Sequence, residues 1–485
     1  MGVEKQQVGP YRQLELFKTT VSRSHGATGK GGTGAGAREE RQASATSNEK
    51  RALAKNLMER ICHLANLNRA YKYVKANKGS PGMDGLTVEE LREWLRIHKD
   101  GLIASLLDGT YQPLPVKRVE IPKPGGGMRQ LGIPTVVDRL VQQAILQILN
   151  PNIDPTFSDS SFGFRPGRGA HDAVEQASRY VADGRTIVVD CDLEKFFDRV
   201  NHDVLMSRLA RRIGDKRLLR IIRRFLESGV MINGVCIERY EGTPQGGPLS
   251  PLLSNILLDD LDKELEKRGH CFCRYADDCN VYEKSVVAGE RVMASITQFL
   301  EKRLRLRVNR KKSAVAPVSE RKFLGYRLQN NGRLVIAPQS LERAKDRIRE
   351  ITQRNRPAPF DERIKKLNEF LSGWLMYYRL AECRGKLEEL DGWIRRKLRC
   401  ARLKQCKRTG TIARFLIDCG VPEWRSWIMA LSGKGWWRKA GTPQANEAMT
   451  KKWFNEQGLI SLTGRYFELK SSGNRRGTEQ VCPVV

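Results

Sequence analysis

Apolar positions along the chain follow two periods, and the switch between them divides it. From about residue 51 to 110 the spacing is helical. "NKGSPGMDGLTVEELREWL" holds a Gly/Pro turn and then a Thr87-Val88-Glu89-Glu90 capping box that opens an amphipathic helix. "VKRVEIPKPGGGMRQLGIP" reads as two short strands around a Lys-Pro-Gly-Gly-Gly turn, and "VVDRLVQQAILQIL" as a buried helix. "RTIVVDCD" (185–192) predicts a strand and "HDVLMSRLARRI" a helix. "VMINGVCIERYEGTPQG" is a hairpin around Asn233-Gly234. Leu253, Ile256, Leu257, Leu261 and Leu265 mark another helix, followed by a helix over 288–305 and a strand in "KFLGYRL". Residues 110–330 thus predict an α+β body with a mostly antiparallel sheet. Beyond 340 the period is helical. Ile364, Leu367, Leu371, Trp374 or Leu375, and Tyr378 mark one helix, and Leu387, Leu390, Ile394 and Leu398 another, for an all-α domain of two or three helices. Residues 24–50 are Gly, Ala, Ser, Thr and charges, which bury too little apolar surface to fold alone, so 1–50 is expected to be a flexible tail.

Composition narrows the partners. The 485 residues suffice for about three domains. Lys plus Arg number 86 against 55 Asp plus Glu, a net charge of +31, which favours nucleic acid over other partners. No apolar run approaches the ~18 residues of a membrane-spanning helix, no secretory h-region is visible, and Gln6 stands where a myristoylation signal wants Ser or Thr, so no membrane partner is expected. The eleven cysteines are scattered without a CxxC, which argues against zinc and for reduced thiols in the cytoplasm. Residues 391–410 carry eight Lys or Arg and one acid, Asp391, the composition of an RNA-backbone-binding face. Trp374, Tyr377 and Tyr378 read as core. Trp436 and Trp437, among cations, fit base stacking or packing of the domain end equally well.

Chemistry centres on "CRYADDCN". Two adjacent aspartates are poor strand formers and repel each other. The flanks, "HCFCRY" and "NVYEK", are strand-like, so Ala276-Asp277-Asp278-Cys279 is expected as a hairpin turn that exposes both carboxylates at a sheet edge. In "VVDCDLEKFFD" alternation puts Asp190 and Asp192 on one face, Asp192 at the strand's end. If the two elements are neighbours, Asp192 and Asp277 meet, and carboxylates so gathered require divalent cations. Mg²⁺ favours such oxygens and leaves positions for substrate phosphates. A pair of ions about 3.5–4 Å apart suits transfer of a nucleotide onto a 3′-hydroxyl.

The order of these blocks resembles a known family, the bacterial group II intron-encoded reverse transcriptases and maturases of the compact kind that lack a C-terminal endonuclease. The resemblance runs from about 51 to 465 through "NKGSPGMDG", "VEIPKPGGGMRQLGIPTVVDRLVQQAI", "FSDSSFGFRPGRGAHDAV", "VVDCDLEKFFDRVNHDVL", "GTPQGGPLSPLLSNILLDDLD", "RYADD", "LRVNRKKS", "FLGYRL", "LSGWLMYYRL" and "LDGWIRRKLR". It implies a right-hand polymerase: an N-terminal extension at 51–110, fingers and palm at 111–335, an α-helical thumb or maturase domain at 340–435 and a basic segment at 436–485. It implies RNA-directed DNA synthesis from dNTPs with two Mg²⁺ on an RNA template and DNA primer, together with binding of a group II intron RNA for splicing and insertion into a DNA target. Asp192, Asp277 and Asp278 would be the catalytic, metal-binding triad. Lys123, Arg129, Phe197, Gln245 and Lys312 would bind the dNTP, Phe197 as a gate against the ribose 2′-hydroxyl. Arg165 and Arg168 would touch template, and Arg395, Arg396, Lys397 and Arg399 the RNA backbone. His270 is the last histidine, so no His-Asn-His nuclease is expected in the C-terminal half. Two rival readings share these residues: a splicing cofactor with an unused polymerase site, and a host-recruited reverse transcriptase of phage defence or repair.

Overall fold

The computed structural model of the chain describes residues 56–122, 127–232, 235–244, 246–355 and 357–473. The tail over 1–50, Lys123 and Gln245 lie outside the described residues. The chain divides into two compact units, one of residues 1–166, 191–279 and 290–314, the other of 167–190, 280–289 and 315–485. Its strands are β1 (Val116–Pro122), β2 (Met128–Ile133), β3 (Ile187–Cys191), β4 (Val230–Ile232), β5 (Val235–Ile237), β6 (Cys271–Tyr275), β7 (Asp278–Glu283), β8 (Ala314–Pro317), β9 (Tyr326–Leu328) and β10 (Leu334–Ile336). They form sheets ordered β2-β1-β4-β5, β6-β7-β3-β8 and β10-β9.

In the first unit β1 and β2 pair antiparallel, Ile121 opposite Arg129 and Pro122 opposite Met128, while β1 meets β4 in parallel through Val116 and Val230. The apolar run expected to form a buried helix does so over Val136–Ile153, with Leu140, Val141, Ala144 and Ile145 fully buried. Asn66, in the Leu64–Ala76 helix, donates to the Ala144 carbonyl at 3.0 Å and ties the two together. The capping box forms as read: the Thr87 amide donates to the Glu90 carboxylate at 2.9 Å and the Glu90 amide to Thr87 Oγ1 at 3.3 Å.

Asp138 is buried in that helix's first turn, where it accepts from Tyr111 and Thr135 hydroxyls and the Leu114 amide. Burial outweighs these bonds and pushes its carboxyl up to about 6 from the ordinary 3.8. The folded value lies above the unfolded one. The group therefore favours the fold below about pH 4, and that contribution is lost as pH rises through about 6. Asp138→Asn is expected to remove it. The change in unfolding free energy between pH 4 and pH 7, read from urea titrations, should differ between wild type and variant by roughly 2–3 kcal/mol. Parallel pH curves would refute the assignment.

In the second unit the expected strand in "KFLGYRL" is confined to Tyr326–Leu328. Leu324 and Gly325 take φ of +50° and +80°, and a Cβ at Gly325 would strike the Tyr378 hydroxyl. Tyr378 is buried against Tyr326, with ring centroids 5.2 Å apart, in keeping with its reading as core. The helical region is larger than the two or three helices expected. Pro338–Ile351, Phe360–Tyr377 and Arg384–Gln405 are followed by helices at Thr409–Asp418, Glu423–Leu431, Trp436–Lys439, Pro443–Ala448, Lys451–Glu456 and Leu462–Gly473. The basic segment from 436 is therefore folded as far as it is described. Asp391 supplies the reason. This lone acid of the basic stretch is buried and accepts from the Ser461 and Thr463 hydroxyls and the Leu462 and Thr463 amides, capping the last helix.

Candidate active site

The paired aspartates sit in the first unit on a two-residue turn, tighter than the four-residue turn expected. β6 ends at Tyr275 and β7 begins at Asp278, which leaves Ala276 and Asp277 between them. Ala276 takes φ of +58° to close the hairpin. Its carbonyl accepts from Arg274 Nη1 at 2.8 Å. Arg274 is fully buried, and all five of its N–H groups are used. Nε and Nη2 bind the Asp262 carboxylate at 2.7 and 2.5 Å, Nη2 also reaches Ser161 Oγ at 2.7 Å, and Nη1 reaches Asn255 Oδ1 at 3.0 Å. Sequence reading missed this residue, although an arginine inside an apolar strand, with a "DDLD" helix upstream, was the available signal.

Asp192 follows β3 and is wrapped by the 309–313 turn. Its amide donates to Ser313 Oγ at 3.0 Å, and its carbonyl accepts from the Asn309 amide at 2.8 Å. The same turn brings Lys312 Nζ to 3.9 Å from Asp192 Oδ2. Asp192 and Asp277 interact. Burial, chiefly, and then the Asp192 charge hold the Asp277 carboxyl above its usual range, with Arg129 and Arg274 opposing. Arg129, exposed on β2, therefore reaches the site with its field. Among the described residues no three of His, Cys, Asp and Glu meet closely enough to hold a metal. The interaction resolved is thus the Asp192 and Asp277 pair, with Asp278 beside it as the first residue of β7. Two carboxylates that repel each other in a partly buried place are a donor set that fits a hard divalent cation.

Phe197 is half-buried, its ring edge-on to Phe196 with centroids 5.2 Å apart. Its carbonyl accepts from the Thr243 amide at 2.7 Å, so the segment leading to Gln245 is strapped to it. Gly246 takes φ of +127°, and a Cβ there would lie 2.9 Å from the Gly132 carbonyl oxygen, so glycine is required where this loop meets the end of β2.

Two expectations change. Arg165 does not face template. It is buried, and all five of its N–H groups are bound, to both carboxylate oxygens and the carbonyl of Asp154 and to the carbonyls of Ser158 and Ser161. Arg399 is likewise not on the cationic face. It is buried, donates from Nε to the Met449 carbonyl at 3.1 Å, lies over Phe454, and burial lowers its guanidinium to about 10. Both were misread for one reason: a charge count does not say which arginines turn inward. Asp190, which alternation placed on the face of Asp192, is held by Arg321 through two hydrogen bonds of 2.9 and 2.5 Å. Arg168, Arg395, Arg396 and Lys397 are half-buried. Arg396 lies 4.2 Å from the Trp437 ring centroid and Lys397 5.6 Å, so Trp437 packs under two of the cations.

Paired carboxylates on a β-hairpin turn, a third carboxylate-bearing strand end and a basic two-stranded fingers arm define a palm-type polymerase followed by a helical domain. Comparison with known proteins specifies which. Residues 121–328 match the reverse transcriptase (RNA-dependent DNA polymerase) family, and residues 341–416 match the group II intron, maturase-specific domain. Protein YkfC of Escherichia coli K12 is 34% identical over 303 residues, 54% of this chain and 80% of YkfC. The group II intron-encoded protein LtrA of Lactococcus lactis subsp. cremoris is 39% identical over 202 residues, 40% of this chain and 32% of LtrA, so this likeness spans under a third of LtrA's own length. Among solved structures a partial Cas6-RT-Cas1–Cas2 complex is 26% identical, covering 51% of this chain and 43% of that one, with a TM-score of 0.34. The chain belongs to the group II intron-type reverse transcriptase and maturase family. No helix among the described residues is long and apolar enough to cross a membrane.

Proposed function

We propose that the chain polymerises DNA on an RNA template by a two-Mg²⁺ mechanism, and that the same chain binds its group II intron RNA to assist splicing and insertion into a DNA target. The observation that carries the reading is that β3, followed by Asp192, and β7, preceded by Asp277, are neighbouring strands, with the turn between β6 and β7 braced by Arg274. When bound, the ions would lower the pKa of the primer 3′-hydroxyl and neutralise the leaving pyrophosphate. Asp192 and Asp277 would hold them, with Asp278 as a further donor. Arg129 would fork onto the incoming triphosphate, and Lys312, beside Asp192, would meet the leaving phosphates as a point charge. Lys123 and Gln245 complete the dNTP set from the sequence. Arg395, Arg396 and Lys397, with Arg168, would bind phosphates, which positions RNA without reading its bases. The setting would be cytoplasmic.

The test is primer extension with purified protein, an RNA template, a DNA primer, dNTPs and Mg²⁺. Full-length cDNA is expected. Well-folded protein that binds RNA tightly and makes no cDNA would replace this reading with that of a splicing cofactor. Phe197 supplies a second expectation. Its ring would exclude a ribose 2′-hydroxyl, so Phe197→Ala should raise ribonucleotide incorporation relative to dNTP by on the order of 10–100-fold in kcat/KM. Unchanged discrimination would remove the gate from this residue.

A further inference from the structure

We infer that Phe164 is a nucleic-acid-contacting residue that stacks on a nucleobase carried past the catalytic turn, an inference that rests on the polymerase reading above. Residues on either side of it are locked. Arg274 and the 160–162 segment exchange backbone hydrogen bonds, Arg274 N to Ser160 O and Phe162 N to Arg274 O, both at 2.9 Å. Gly163 lies so close to β6 that a Cβ there would collide with the Ala276 backbone nitrogen, and its carbonyl accepts from Asn255 Nδ2 at 2.9 Å. Arg165 is tied down through all five N–H groups.

Between these anchors Phe164 takes φ of +60° and leaves its side chain 50% exposed. A bulky residue in the left-handed region is a backbone outlier, and glycine would sit there without cost. Exposing a phenyl ring to water gains nothing either. Neither feature stabilises the free protein. Both make sense if a rigid frame presents an aromatic face to a ligand, since strained, over-determined residues gather at ligand clamps. The frame's other contact is the backbone of Ala276, next to Asp277. The ligand there is the nucleic acid whose end the carboxylates address, and a nucleobase is the part of it that a phenyl ring recognises. The template contact first assigned to Arg165 thus falls to its neighbour.

The test compares wild type with Phe164→Ala, Phe164→Gly and Phe164→Trp in primer–template binding, single-turnover extension and thermal unfolding. Phe164→Ala and Phe164→Gly should weaken primer–template affinity about 5- to 150-fold, the range of one lost base stack. The extension rate at saturating primer–template should stay near wild type, and Phe164→Trp should retain affinity. Phe164→Gly should melt higher than wild type, because it relieves the backbone. An abasic site placed opposite the turn, in the template or in the primer, should erase the wild-type advantage over Phe164→Ala in the strand that is touched. Variants that bind like wild type, variants that lose stability and affinity together, or abasic sites without effect in either strand would each overturn the inference. Wild type that makes no cDNA at all would instead defeat the polymerase reading.

Discussion

Asp277→Ala is expected to reduce cDNA synthesis by about 10³-fold or more while leaving intron RNA binding within about twofold of wild type. The size follows from what the carboxylate does. It is one of the two groups that would hold the metal, metal assistance is worth several kcal/mol of transition-state stabilisation, and each 1.36 kcal/mol is a tenfold change in rate. The RNA term stays because the cations assigned to it, Arg168, Arg395, Arg396 and Lys397, lie in a different compact unit from Asp277. The same variant carries a stability signature. Burial and the Asp192 charge hold the Asp277 carboxyl above its ordinary range. The ionised form therefore costs the metal-free fold stability, a cost that grows as pH rises through the raised value. Asp277→Asn should accordingly raise the melting temperature of metal-free protein at neutral pH. Added Mg²⁺ should raise it for wild type and not for the variant. Synthesis by Asp277→Ala at the wild-type rate would remove the metal site from this turn, and joint loss of synthesis and RNA binding would point to misfolding.

Arg274→Met is expected to cost about 3–5 kcal/mol of stability, the usual result of stranding one member of a buried ion pair. The stranded member is Asp262, fully buried and paired with Arg274 at 2.5 Å. The double variant Asp262→Leu/Arg274→Met should recover most of that loss, because two apolar side chains of similar volume remove the uncompensated charge. Recovery of stability should not bring back full synthesis. The Ala276 carbonyl would still lack its donor, and the left-handed turn that aims Asp277 would lose its brace. Urea unfolding and primer extension on the single and double variants separate the two roles. A single variant within about 0.5 kcal/mol of wild type would show the pair to be dispensable. A double variant with wild-type synthesis would show that the turn needs no brace.

Much of this was written in local pattern. Two short strand-like runs around Lys-Pro-Gly-Gly-Gly announced the hairpin arms β1 and β2, since Pro and Gly clustered between such runs are a turn signal. Thr87 and Glu90 announced their helix start, because a cap is made by residues three apart. Asp192 and Asp277 were legible together because each ends or interrupts a strand where a carboxylate gains nothing unless something binds it. Arg165, Arg399 and Arg274 show the opposite case. In sequence all three are arginines near motifs. Their roles depend on carbonyls and carboxylates contributed by distant segments, such as Asp262 for Arg274 and Met449 for Arg399.

The sequence by itself determined the class of chemistry, the α+β body followed by helices, the preference for a polyanionic partner and the carboxylates to which metal would bind. These are properties of residue type and short spacing. Only the tertiary structure decided which arginines face inward, that Asp391 caps the last helix, that a buried guanidinium holds the turn carrying Asp277, and that Phe164 stands strained and exposed beside it. Those outcomes depend on which segments meet, because burial and hydrogen-bond partnership arise between residues distant in sequence, 121 positions apart for Asp192 and Ser313 and 131 for Asp190 and Arg321.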